Sequence, residues 1–113
     1  MIKFEKVVYL SHPYGGKKKN LKAISETLRE VQAEHPTFLF LSPVNMFSCL
    51  YSDMPYKEGL DRCLWLLDRS DEMWVFGEYK NSKGCLREIE FCEDNDIPYV
   101  IRGEGGCYGE ISD

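Results

Sequence analysis

The amino-acid sequence predicts a three-layer α/β/α domain built around a small, mainly parallel sheet of four to five strands. Short apolar segments of strand length alternate with longer segments in which apolar residues recur every three or four positions, the spacing of one helix face. The strand-like segments are continuously apolar, which is typical of parallel sheets covered by helices on both faces. Strands and helices in this order form right-handed β-α-β units.

Four strand-like segments are separated by three helix-like segments. We predict strands at Lys6 to Ser11, Thr37 to Ser42, Glu72 to Phe76 and Ile97 to Ile101. We predict helices at about Lys17 to Glu34, at about Tyr56 to Arg69, and over the stretch that contains Cys85, Glu88, Ile89 and Cys92. Together they make one Rossmann-like, flavodoxin-like domain over residues 1–113, with a Gly-rich C-terminal tail at 102–113.

Composition narrows the class of ligand. The chain has 113 residues, and 43% of them are hydrophobic, which suffices for one core. The net charge of −5 argues against binding to polymeric nucleic acid or to an anionic membrane, since both need a basic surface. The five cysteines include no CxxC pair, and we see no secretory leader or long apolar run. We therefore expect a reduced, cytoplasmic protein without a metal site, whose ligand is a small molecule.

The loop after the first strand has the composition of an anion-binding turn. In an open α/β sheet the ligand lies at the carboxyl ends of the strands, and glycines there let the backbone approach it. The three lysines that begin the first helix oppose the helix dipole, so either an anion docks there or the lysines simply face water. The loop matches neither the dinucleotide fingerprint nor the Walker motif, and it lacks the Ser/Thr-rich cradle of flavin proteins, so we expect no cofactor. The expected substrate contacts are Ser11, His12, Gly15, Gly16 and Lys17.

The segment from Pro43 to Pro55 is apolar and aromatic in a way that solvated loops are not. Part of it fits a short helix. An apolar segment of this length after a strand is typical of a lid or a site wall, and it equally suits burial under a neighbouring subunit.

Glu88 is the central candidate for chemistry. It shares the inward face of the third helix with Cys85, just beyond the carboxyl end of the third strand. It is either the buried partner of a cation or a reactive carboxylate. The positive end of the helix dipole should keep it ionised, which suits a nucleophile. Tyr9 and Asp71 belong to neighbouring strands, and we expect the fold to bring both towards the same crevice. Of the other glutamates, Glu78 lies in the preceding loop and could enter the site.

These residues resemble a known family. Tyr9 in VVYLSHPYGG, Asp71 in SDEMWVFG and Glu88 in SKGCLREIEFC resemble motifs of the nucleoside 2-deoxyribosyltransferase superfamily, including its deoxynucleoside 5'-monophosphate N-glycosidase branch. The resemblance runs from about Val7 to Val100. It implies an enzyme in which Glu88 attacks the anomeric carbon of a deoxyribosyl group, Tyr9 orients Glu88, and Asp71 contacts the base and supplies the acid. It adds Ser82 and Gly84 to the expected substrate contacts.

Two departures from the family pattern bear on the substrate. Ser82 lies six positions before Glu88, where the transferases have an acidic residue. The tail offers Tyr108, Glu110 and Ser112, where the transferases supply an Asn from a neighbouring subunit. Ser82, the Gly-Gly turn and the lysines favour a 5'-phosphorylated nucleotide, and a site completed across subunits implies a homo-oligomer. The other reading is a nucleotide-binding sensor or sequestering protein without turnover.

Overall fold

A computed structural model of the chain describes residues 1–103. Within this part, strands and helices alternate as the sequence predicts. The strands are β1 (Lys6–Ser11), β2 (Phe38–Leu41), β3 (Glu72–Val75) and β4 (Tyr99–Ile101). The helices are α1 (Lys18–Glu34), α2 (Pro43–Phe47), α3 (Tyr56–Asp68) and α4 (Lys83–Asp94). None of the described helices combines the length and the apolar character needed to cross a membrane. Most of the predicted tail lies outside the described residues.

The four strands form one parallel sheet in the order β2-β1-β3-β4. Strand β1 is central and pairs with both β2 and β3. In the β1–β3 ladder, Tyr9 lies opposite Met73 and Ser11 lies opposite Val75. All carboxyl ends therefore meet at one edge, and the predicted mainly parallel sheet is confirmed.

Helices cover both faces of this sheet. Residues Val8 and Leu10 of β1 pack in one core with Ile24 of α1. Tyr9, between them on the strand, points to the other face and packs in a second core with Leu67 of α3 and Cys92 of α4. Because successive strand residues point to opposite faces, two apolar cores require strands that are apolar throughout. The continuously apolar strands therefore explain the three-layer architecture, with helices on both faces of the sheet.

Two segments differ from the predictions. The segment after β2 is more regular than predicted, because α2, with Pro43 in its first turn, continues into a 3-10 helix over Ser48–Asp53. Strand β4 begins later than predicted. The Ile97 amide donates to the Cys92 carbonyl (2.9 Å) and so closes the end of α4, and Pro98 has no amide to donate to a ladder.

Candidate active site

A cleft of about 690 Å³ opens at the carboxyl edge of the sheet. Three chain segments form its walls: the loop after β1, the stretch from α2 into α3, and the turn that leads into α4. The apolar segment after β2 therefore lines the cleft, as the site-wall interpretation expects. The position agrees with the rule that open α/β sheets bind ligands beyond the carboxyl ends of their strands.

Glu88 lies at the floor of this cleft and is only 7% exposed. The Tyr9 hydroxyl donates to its Oε2 atom (2.5 Å), and the Ser11 hydroxyl donates to its Oε1 atom (2.6 Å). Tyr9 and Ser11 are two positions apart on β1, so both side chains point to the face that α4 covers. Strand β1 alone therefore supplies a hydrogen-bond donor for each of the two carboxylate oxygens.

Burial governs the protonation of Glu88. It raises the pKa of the Glu88 carboxyl from 4.5 to about 7, although the hydrogen bonds from Ser11 and Tyr9 act to lower it. The expectation that the helix dipole keeps Glu88 ionised leaves out this burial, which shifts the pKa in the opposite direction. Burial, and then the charge of Glu88, raises the pKa of Tyr9 well above its usual value. Tyr9 therefore keeps its proton and acts as a donor.

Two cysteines line the cleft beside Glu88. Cys85 precedes Glu88 by less than one helical turn, and Cys63 comes from α3. Burial, followed by the charge of Glu88, raises the pKa of each thiol to about 11. The thiols are therefore neutral and supply a weakly polar wall that limits solvation of the carboxylate. Sequence reasoning treated these cysteines as ordinary thiols, because their helical spacing looks the same whether or not a cleft adjoins them.

The loop after β1 contributes only part of its predicted contacts. His12, Gly15 and Lys17 line the cleft. Ser11 does not, because it is 1% exposed and its hydroxyl binds Glu88. Gly16 does not line it either, because it packs under the next wall. A Cβ atom at Gly16 would lie 2.9 Å from the Tyr51 ring. Ser11 and Gly16 are therefore corrected from substrate contacts to residues that support the site.

The N-terminal end of α4 places both predicted residues, Ser82 and Gly84, at the cleft. Ser82 is the N-cap of α4, and its hydroxyl accepts a hydrogen bond from the Cys85 amide (3.2 Å). Gly84 also lines the cleft, and a Cβ atom there would be in ordinary contact with the Tyr56 hydroxyl at 3.6 Å. A methyl group at this position would therefore fit without a clash.

Asp71 lies at the opposite edge of the sheet. Its Oδ2 atom accepts a hydrogen bond from the Val7 amide (2.7 Å), at the amino end of β1, and its side chain is exposed there. Four strand positions separate it from Val75 at the carboxyl end, which corresponds to roughly 13 Å. The prediction that the fold brings Asp71 to the crevice is wrong, because the residue that begins a parallel strand lies at the edge away from the ligand.

Aromatic residues and a second glutamate complete the lining of the cleft. Tyr51, Tyr56 and Phe47 form an aromatic wall, and Tyr14 meets Tyr51 edge to face with ring centroids 5.0 Å apart. Glu78 also lines the cleft, just after β3. The sequence analysis noted that Glu78, in the loop before α4, could enter the site. The described residues contain no group of three or more His, Cys, Asp or Glu side chains placed to hold a metal.

Comparison with solved structures supports the fold. The structure is similar to a solved structure of a 2-desoxiribosyltransferase from Leishmania mexicana, with a TM-score of 0.63 and 12% sequence identity. The likeness covers 87% of this chain and 64% of that enzyme, so this chain spans less than two thirds of the enzyme's length. At this identity it shows the fold alone, an α/β fold of the 2-deoxyribosyltransferase kind.

The family itself is set by sequence. A family model described as "Domain of unknown function (DUF7768)" matches residues 6–102. The chain therefore belongs to this family. No curated protein matches the sequence.

Proposed function

We propose that this protein cleaves the N-glycosidic bond of a nucleoside or a nucleoside 5'-monophosphate, with Glu88 as the nucleophile. One observation carries the proposal: a carboxylate is buried at the floor of the cleft, and separate hydroxyl donors hold both of its oxygens. A buried carboxylate without a cationic partner lowers the stability of the fold. Such a group is expected where the protein uses it for its function. The shared fold with a 2-desoxiribosyltransferase supports the same class of reaction.

The proposed reaction has two displacement steps. A Glu88 oxygen attacks the anomeric carbon of the sugar, and the bond from that carbon to the base nitrogen breaks. The electron pair passes to the base, which takes a proton from water in the open cleft. Water or a second base then attacks the same carbon and loses its proton to the hydroxide left by the first step, and the electron pair of the ester bond returns to Glu88. Water as the acceptor gives hydrolysis, and a base gives transfer.

Tyr9 and Ser11 orient the nucleophile in this scheme. Both donors are rigid, because Tyr9 is fully buried and Ser11 is 1% exposed within the central strand. Fixing both oxygens restricts the directions from which the carboxylate attacks, which lowers the entropic part of the barrier. Because the pKa of Glu88 is about 7, the ionised form that attacks becomes dominant only above neutral pH.

We further propose that the substrate carries a 5'-phosphate and that its sugar is deoxyribose. Lys17 and Lys19 line the cleft, and neither forms an ion pair with the described residues. A phosphate would neutralise these lysines at the start of α1, where unopposed cations conflict with the helix dipole. The resemblance to the monophosphate-hydrolysing branch supports the same substrate.

The test is chromatographic detection of free base after incubation with each 2'-deoxynucleoside and its 5'-monophosphate, with and without an acceptor base. The Glu88→Ala variant is run beside the matched control Glu90→Ala. Glu90 lies two residues along the same helix, and its side chain is 63% exposed. Base release that survives in the control and falls at least a thousandfold in Glu88→Ala is expected.

The outcome across the panel selects among the readings. Release from monophosphates alone supports the phosphate assignment, and exchange that needs an acceptor base identifies a transferase. If the folded protein released no base from any of these substrates, the result would contradict the proposal and favour a nucleotide-binding protein without turnover. In that case a thermal-shift screen with the same nucleotides would show binding.

The resemblance also suggests that the active form is a homo-oligomer. The wall segment presents exposed apolar side chains at Met46, Leu50 and Tyr51. Sedimentation analysis at micromolar concentration is expected to give a mass of two chains or more. A fully active monomer would contradict the proposal that the active form is a homo-oligomer.

A further inference from the structure

Glu78 is a second carboxylate at the cleft, and the sequence analysis gave it no role. Among the described residues that line the cleft, the acidic ones are Glu78 and Glu88. They differ in depth, because Glu88 lies buried at the floor whereas Glu78 is exposed. Asp71, which the resemblance implied as the base contact, lies at the far edge of the sheet. The cleft therefore has one carboxylate at its floor and another nearer to solvent.

The turn that carries Glu78 is fixed at both ends. The Phe76 amide donates to the Ser11 carbonyl (2.9 Å), which ties the end of β3 to β1. Gly77 has a φ of +78°, and a Cβ atom there would lie 2.9 Å from the His12 ring. The Asn81 amide then donates to the Glu78 carbonyl (3.1 Å). A glycine is needed to make this turn, and the turn sets the direction in which the Glu78 backbone leaves the strand.

The Glu78 side chain is free to meet a ligand. Its carboxylate forms no hydrogen bond and no ion pair with the described part of the chain. By contrast, the carboxylates of Glu72 and Glu93 each accept a hydrogen bond from a neighbouring side chain. A carboxylate that lines a cleft and has no partner within the fold is available to accept hydrogen bonds from a bound molecule.

The position of Glu88 fixes which part of the ligand can reach Glu78. If Glu88 attacks the anomeric carbon, the sugar lies at the floor, and the base and the 5'-group extend outward. A phosphate is repelled by a carboxylate and attracted by Lys17 and Lys19, which also line the cleft. The base is left as the group beside Glu78.

We infer that Glu78 recognises the leaving base and selects bases that carry an exocyclic amino group. This inference rests on the proposed function. A carboxylate accepts N–H bonds and repels carbonyl oxygens, so it favours guanine, adenine and cytosine over hypoxanthine and uracil. Because Glu78 lies nearer to solvent, we expect the discrimination to be that of one hydrogen bond to a charged group, roughly tenfold.

Two substrate pairs isolate the amino group. Deoxyguanosine and deoxyinosine differ only in the 2-amino group of the purine, and deoxycytidine and deoxyuridine differ in a 4-amino group against a carbonyl. The kcat/KM ratio within each pair is measured, as monophosphates and as nucleosides, for the wild type, for Glu78→Gln and for the control Glu90→Gln. Intrinsic bond strengths are the same for every variant, so a change in the ratio reports on the side chain alone.

The wild type and the control are expected to prefer the amino-bearing member, and Glu78→Gln should reduce that preference roughly tenfold. An unchanged ratio in Glu78→Gln, with Glu88-dependent base release intact, would overturn the inference and leave the proposed function standing. An equal fall in kcat/KM for both members of each pair in Glu78→Gln would likewise contradict the inference, because a residue that recognises the base changes selectivity.

A binding measurement keeps the inference testable without turnover. Dissociation constants for the same pairs are measured by calorimetry on Glu88→Gln and on the double variant Glu88→Gln/Glu78→Gln. Amino-dependent binding that disappears in the double variant supports the assignment even if the wild type releases no base, in which case only the proposed chemistry fails. Binding without amino preference overturns the inference.

Discussion

Two carboxylates at opposite edges of the sheet, Glu88 and Asp71, show how position decides what an acidic side chain does. Glu88 lies beyond the carboxyl ends of the strands, buried, and takes two hydroxyl donors from β1. Asp71 lies at the amino end of β3, exposed, and accepts one backbone amide hydrogen bond from Val7. The first is held in an environment that raises its pKa and lowers stability, whereas the second completes the hydrogen bonding of a strand. Asp71 directly precedes β3 and Glu88 follows it in α4, so the two carboxylates lie at opposite ends of the strands.

The largest expected effect is on stability at the buried carboxylate. Because folding raises the pKa of Glu88 from 4.5 to about 7, the unfolded chain ionises first as pH rises. Below about pH 4 the carboxyl is neutral in both states, and Glu88 does not change the free energy of unfolding. Between the two pKa values the free energy of unfolding falls, and above pH 7 it stays reduced by the full amount. The full difference corresponds to about 3 kcal/mol. Glu88→Gln should therefore be more stable than the wild type at pH 8 and equal to it at pH 4, as measured by urea unfolding.

The urea comparison contradicts the account if Glu88→Gln is less stable than the wild type at pH 8 while its slope with denaturant is unchanged. The Glu90→Gln variant supplies the control, since its carboxylate is mostly exposed and should give the same small change at both pH values.

A smaller effect is expected from removing one of the two donors. Tyr9→Phe leaves Glu88 Oε2 without the hydroxyl that now donates to it at 2.5 Å. The pKa of Glu88 should rise further, so kcat/KM at pH 7 should fall roughly tenfold and recover in part at higher pH. The control is Tyr79→Phe, because Tyr79 packs against the same core and its hydroxyl has no hydrogen-bond partner among the described residues. Equal losses in both variants, independent of pH, would point to packing alone.

The smallest effect is expected at the opposite edge. Asp71→Ala removes the acceptor of the Val7 amide, an exposed hydrogen bond, and should lower the free energy of unfolding by about 1 kcal/mol. The kcat/KM of the folded protein should not change, because Asp71 does not line the cleft. A large loss of kcat/KM with normal stability would reverse the contrast between the two edges and restore Asp71 as a site residue.

The order and kind of the elements could be predicted because each rests on local patterns. Continuous apolar strands and the three- and four-residue spacing of the helices follow from backbone periodicity alone. The pairing of Tyr9 with Glu88 was also accessible, since Tyr9 belongs to the central strand and Glu88 to an inward helix face. Strand β4 was misjudged because Ile97 hydrogen-bonds to α4, an interaction between neighbouring elements that local propensity does not contain.

The site was predicted less completely than the fold. Asp71 was assigned from a motif, although its place at the start of a strand already implied the far edge of the sheet. The environment of Glu88 could not be predicted, because its burial depends on how closely α3, with Cys63, approaches α4. Gly16 was taken for a ligand contact because a loop sequence does not reveal which of its residues face inward. Ser11, the last residue of β1, was taken for one because the strand pattern does not show that its hydroxyl binds Glu88.

The pH dependence of base release tests the central claim most directly. kcat/KM is measured between pH 5 and 9 on the preferred nucleotide for the wild type. The same measurement on Glu88→Gln gives the base release that does not depend on the Glu88 carboxylate. If Glu88 acts as an ionised nucleophile with a pKa of about 7, kcat/KM rises through that pH and levels above it. A kcat/KM that falls as pH rises through 7 would mean that Glu88 must be protonated to act, and would contradict the nucleophilic role.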